Sequence, residues 1–143
     1  MPENQLVFGR IREALISSFP ELWERIEKTF GSYYDPEEET PEAYPIFEDV
    51  VKKLMFELLQ DDYDQALLRR LFRFFEDMAN SPDPNVSRDL LGIAILEPLV
   101  YRQESIRRAW KYTGPRTRNL AMVEARSQSR LGNLPIESED LKL

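Results

Sequence analysis

The chain contains no cysteine and no histidine among its 143 residues, and only five glycines. Without cysteine there are no disulfides and no thiolate zinc sites. Without histidine there are no imidazole metal ligands, no E-x-x-H di-iron pairs, and no Ser/His or Cys/His nucleophilic machinery. Any chemistry would fall to carboxylate, Lys, Tyr, Ser or Thr side chains. The sequence also lacks 18 contiguous apolar residues, and Glu3, Arg10, Arg12 and Glu13 interrupt the apolar positions near its start, so no signal-peptide core is read there. These absences lead us to expect a cytoplasmic, non-enzymatic protein with no cofactor, no metal and no membrane partner. The lack of cysteine agrees with a reducing compartment.

What is present is a composition that builds a core: 42% apolar and 11% aromatic residues in a length that fits one domain. The formal charge of −7 argues against nonspecific nucleic-acid binding by the molecule as a whole. Its distribution is uneven. From Asp35 to Asp64 there are 11 acidic residues against Lys52 and Lys53, and from Arg102 to Arg130 there are 8 basic residues against Glu104 and Glu124. The two segments either present opposite faces or neutralise each other within the fold.

Apolar residues recur at helical spacing along most of the chain. Leu6, Val7, Ile11, Ala14, Leu15 and Phe19 form a first stripe, and Leu22, Trp23, Ile26 and Phe30 a second that stops at Gly31. Residues 32–45 carry three prolines, many acids and no apolar period, and read as a long polar loop. Ile46, Phe47, Val50, Val51, Leu54, Met55, Leu58 and Leu59 then make a dense stripe, and the run from Asp61 to Asp64 offers N-cap oxygens to a helix bearing Leu67, Leu68, Leu71, Phe72, Phe75, Met78 and Ala79. Phe72, Phe74 and Phe75 cannot share one narrow face, so Phe74 is expected to be partly exposed or to meet another element.

Ser81, Pro82, Asp83 and Pro84 stop that helix, and Val86, Leu90, Leu91, Ala94, Ile95, Leu99 and Val100 restart the period, which describes two antiparallel helices joined by a tight turn. Gly92 would admit a close neighbouring backbone, and Pro98 would kink or end the helix. Short helices over Ile106–Tyr112 and Thr117–Ala125 follow, broken by Gly114 and Pro115. The expectation is therefore an all-α fold: one compact domain, residues 1–126, of about six or seven helices in antiparallel pairs, with the acidic loop 32–45 inside it and a loose polar tail over 127–143.

The segment FRFFEDMANSPDPNVSRDLLGIAILEPLV, followed by Trp110, Lys111, Tyr112 and then GPRTRNL, resembles a group of small helical bacterial immunity-type proteins found beside polymorphic toxins. The resemblance covers about Leu68 to Leu120, through an S-x-D-x-x-V turn and a G-P-[KR]-[ST]-[RK] segment. It implies a cognate protein toxin inhibited by stoichiometric binding, without catalysis or cofactor. The helix pair with Asp83 in its turn and Val86, Ser87 and Arg88 after it is also similar to a HEAT-type repeat, which would imply a scaffold or adaptor, although no second copy follows near a forty-residue period.

Two surfaces are candidates for partner binding. Tyr34, Glu37, Glu38, Glu39, Asp61 and Asp62 would present carboxylates and an aromatic ring to a basic groove such as that of a nuclease toxin. The alternative is a solvated loop and an N-cap. Arg107, Arg108, Lys111, Arg116 and Arg118 would form a basic patch beside Trp110 and Tyr112, with the backbone after Gly114 receiving an anion. Against that patch stand solvent exposure, pairing with the acidic segment and the negative total charge, which disfavour nucleic acid as the partner. Trp110 and Trp23 are expected in the core.

Overall fold

The computed structural model describes residues 6–30, 43–61 and 63–136, and these form seven helices with no strand among them. A 3-10 turn, Phe8–Arg10, leads into α1, Ile11–Ser18, and α2 follows at Leu22–Phe30. α3 spans 43–61, α4 is Gln65–Ala79 and α5 spans 85–101. α6, Gln103–Ala109, continues into a 3-10 turn at Trp110–Tyr112, and α7 is Pro115–Ser127. The all-α expectation holds.

The core follows from the apolar stripes. In α3 the pairs Ile46/Phe47, Val50/Val51, Leu54/Met55 and Leu58/Leu59 recur every four residues, and all eight side chains are buried. α5 is apolar on nearly every side, as a helix must be when it lies between others, and it packs against α3, α4 and α7. Its buried residues fall at 86, 91 and 96 and at 90, 95 and 100, a five-residue step. That step is the period of a π-type helix, and the N–H of Glu97 reaches back five residues to the carbonyl of Gly92. A similar wide turn occupies Phe47–Val51 in α3, where the Lys52 N–H bonds the Phe47 carbonyl.

Some expectations are corrected, while the N-cap within the run Asp61 to Asp64, the core position of Trp110 and the contact of Phe74 with another element hold. The loop read over 32–45 ends early, because Ala43, Tyr44 and Pro45 are helical; proline fits the first turn, where its missing N–H has no partner to lose. Asp61 does not cap α4 but ends α3, and it is Asp64 whose carboxylate accepts from the Leu67 N–H at 3.0 Å. Pro98 does not end α5, which runs on to Tyr101 as its hydrogen bonding tightens from π to α just before the proline. Gly92 meets no neighbouring backbone; a methyl group there would have as nearest atom a carboxylate oxygen of Glu124 at 3.8 Å. Trp23 is 36% exposed and outside the core, whereas Trp110 packs against it. Phe74 is 5% exposed and meets another element, its ring edge-on to Phe19 at 5.7 Å.

The expected loose tail from Ser127 is packed as far as Ile136. Helix α7 closes in a Schellman-type turn, with Ser129 at φ 58° and the Arg130 N–H bonded to the Ala125 carbonyl. Leu134 is buried in the core, and Arg107 donates to the carbonyls of Gly132, Asn133 and Leu134. No helix among the described residues is long and apolar enough to cross a membrane.

Candidate functional site

The two motifs that carry the family resemblance act inside the fold. In the turn between α4 and α5, Ser81 Oγ donates to the Leu6 carbonyl and Asp83 accepts from the Phe8 N–H at 2.8 Å. The other Asp83 oxygen accepts from Asn85 N–H, and the Asp83 carbonyl starts α5 by accepting from Val86 and Ser87. The polar turn is thus an N-cap and also a clamp on the start of the chain.

At the second motif the N-terminus of α7 does receive an anion, and that anion is the carboxylate of Glu76. One oxygen accepts from the Thr117 N–H and hydroxyl at 2.9 and 2.8 Å, the other from the Arg116 N–H at 3.1 Å and Asn80 Nδ2 at 3.2 Å. Burial works to raise the Glu76 pKa, but these donors outweigh it and hold the carboxyl below its ordinary value. Gly114 has an ordinary extended conformation, φ −83°, so its role is space: a Cβ there would collide with Glu76 Cδ. An external anion is therefore not what the backbone after Gly114 holds.

Most of the basic patch is also engaged by the chain itself, although Arg107 and Arg108 remain at the surface. Arg108 donates to the last carbonyls of α3, those of Leu59 and Gln60, both at 2.9 Å, and pairs with Glu104. Arg118 donates to Thr113 Oγ1 and the Trp110 carbonyl at 2.8 Å and lies over the Trp110 ring. Together with Arg107 these guanidiniums cap chain ends and turns, where their positive charge meets unpaired carbonyls. The exposed side chains of Lys111 and Arg116 are left from the five. Among the described residues no ion pair joins the acidic and basic segments; Glu57 instead pairs with Arg25 on α2.

Of the acidic candidates, Tyr34, Glu37, Glu38, Glu39 and Asp62 lie outside the described residues. Asp61 is exposed at the end of α3. The described residues contain no group of three carboxylates able to hold a metal ion.

Two open grooves among the described residues bear on partner binding. One, of about 450 Å³, runs between α3 and α5 and is lined by Glu48, Lys52, Ile93, Glu97, Tyr101 and Arg102, among others. Ile93 and Tyr101 are 50% and 56% exposed, large apolar groups that the core leaves outside. Arg102 is drawn onto the Phe56 ring at 4.1 Å. Next along, burial and the carboxylates of Asp89 and Glu48 push the Tyr44 phenol above its ordinary pKa. Asp89, Ile93, Glu97 and Tyr101 are four apart on α5, an alternation of acid and apolar or aromatic groups that was legible in the sequence but hidden by the stronger core stripe.

The other groove, of about 440 Å³, lies between α4 and the turn before α7, lined by Arg69, Phe72, Arg73, Glu76, Lys111, Tyr112, Thr113 and Gly114. Arg69 and Arg73 join Lys111 here although they are distant in sequence, which is why a count of charge along the chain missed them.

Residues 12–127 match the family model DUF7674, described as a domain of unknown function. The chain belongs to this family. The matched span runs from α1 to the last residue of α7, so it includes Ser81 and Asp83 though not the Leu6 and Phe8 they hold, Glu76 with its α7 cap, and both grooves but for Gln128 at the edge of the first. No curated protein and no solved structure matches the chain.

Proposed function

We propose that this member of the family works by binding, without catalysis, as an immunity-type protein that neutralises a cognate protein toxin through its α3–α5 face. The observation that carries this reading is the pair Ile93 and Tyr101, half exposed on α5 and bordered by Glu48 and Glu97. An apolar and aromatic centre with a charged rim is the composition of a protein-binding surface. The groove itself is of mixed charge, Glu48 and Glu97 against Lys52 and Arg102, with Arg130 over the Tyr101 ring at 4.2 Å, so it is the acid-rich residues outside it that favour a basic partner surface. The acid-rich residues Glu37, Glu38 and Glu39 lie close before Tyr44 in the chain, and with Tyr34, Asp61 and Asp62 they remain the candidates read from sequence for contact with the same partner.

A basic toxin surface, such as the phosphate-binding groove of a nuclease, would be covered by carboxylates standing where phosphates bind. A HEAT-like adaptor is the competing reading, and the two differ in genetics as well as in contact. Co-expression with a toxin encoded next to this chain tests the proposal: cells should grow when both are made, and the two proteins should elute together at 1:1. Toxicity undiminished by the chain would overturn it.

A further inference from the structure

The cationic groove between α4 and the turn before α7 has no part in the α3–α5 groove and shares no residue with it. Arg69 and Arg73 stand one helical turn apart on the exposed side of α4, with Lys111 opposite on the Trp110–Tyr112 turn. Like charges at this spacing repel; Arg69 donates to Gln65 Oε1 at 3.5 Å, and the one carboxylate lining the groove, Glu76, has its oxygens engaged by the amides of α7, the Thr117 hydroxyl and Asn80 and forms no ion pair with the three cations. Asp77, one turn from Arg73, is the further carboxylate along α4; burial and the neighbouring Glu76 raise its pKa while Arg73 acts to lower it.

Tyr112 forms the floor. Its ring stacks on Phe72, and the Arg69 guanidinium and Lys111 ammonium lie 6.0 and 5.2 Å from its centroid. Its hydroxyl is buried and has no hydrogen-bond partner among the described residues. Tyr112 and Lys111 also line an adjoining groove of about 400 Å³ beside Arg107 and Arg108, so the cationic surface continues past them. Three cations outside any ion pair among the described residues, converging on a concave wall, fit a compact, multiply charged anion with several acceptor oxygens.

We propose that this groove binds a small phosphorylated molecule through its phosphoryl oxygens, with Arg69 and Arg73 as the guanidinium clamp and Lys111 as the opposing point charge. Two packed aromatic rings and the cations over them leave no free ring face for a base, so recognition rests on the phosphoryl group. The overall negative charge of the protein disfavours a polyanion.

Calorimetric titration at low ionic strength with inorganic pyrophosphate, and separately with AMP, tests this. The wild type should bind pyrophosphate saturably at 1:1, and AMP should bind through its phosphate with adenosine silent. Arg69→Gln/Arg73→Gln should weaken binding at least about tenfold, and Lys111→Gln should weaken it too, whereas Arg88→Gln/Arg126→Gln, changing exposed arginines elsewhere, should leave it unchanged. Absence of saturable binding would overturn the proposal, as would equal binding by all variants. Binding seen only with a single-stranded oligonucleotide would also overturn it, in favour of a nucleic-acid backbone.

Discussion

Glu76 on α4 accepts hydrogen bonds from both the backbone N–H and the hydroxyl of Thr117 on α7, across 41 positions of sequence. A carboxylate brought from another helix thus replaces the cap that Gly114 has no side chain to provide, and it complements the positive end of α7. Glu76→Ala should cost about 1–2 kcal/mol of stability, the range for losing an N-cap. Urea unfolding of the two proteins measures it.

The same carboxylate makes stability depend on acid. Its pKa is lowered on folding from an ordinary 4.5, so its contribution is complete above that value and is lost as pH falls through the lower folded value. Wild type and Glu76→Gln should therefore differ most near neutrality and converge in strong acid. A constant gap in midpoint across that range would remove Glu76 from the acid response.

Two glycines should respond oppositely to alanine. Gly114→Ala would drive a methyl group into the Glu76 side chain and displace the cap, so destabilisation of about 1 kcal/mol or more is expected. Gly92→Ala meets only ordinary contact at 3.8 Å and improves helix propensity, so it should be neutral or stabilising by up to about 1 kcal/mol. Paired thermal melts distinguish them.

Asp83 holds the start of the chain through the Phe8 N–H. Asp83→Ala should speed hydrogen exchange at that amide and weaken the start of α5 together, at a cost of about 1 kcal/mol. Exchange at Phe8 as slow as in the wild type would mean that the clamp contributes nothing.

Ser129 occupies the left-handed position that ends α7, which a side chain tolerates poorly. Ser129→Gly should stabilise the protein by about 0.5–1 kcal/mol, read from the unfolding midpoint.

The parts of this structure legible in the sequence are those whose signal is local. The doublets from Ile46/Phe47 to Leu58/Leu59 place α3 because four-residue spacing projects one face, and the prolines around Asp83 mark the turn because they remove donors. What stayed hidden is non-local. Arg108 and Arg107 find backbone carbonyls, which every residue owns and no sequence pattern marks. Glu76 looked like one more exposed acid on α4, and the anion expected at Gly114 was read as a ligand because the pairing of the two depends on α4 packing against α7. The candidates Tyr34, Glu37, Glu38, Glu39, Asp61 and Asp62 stand out by local charge density, a signal that Ile93 and Tyr101, outside the core stripe of α5, do not carry.

We propose that the α3–α5 face binds a toxin. The most direct measurement is the dissociation constant of the purified pair, this chain with the toxin encoded beside it, for the wild type and for Glu48→Lys/Glu97→Lys. The account predicts a 1:1 complex at least tenfold weaker in the double variant, with the helical circular dichroism signal unchanged. Equal affinity in both proteins, or no complex with the wild type, would contradict it.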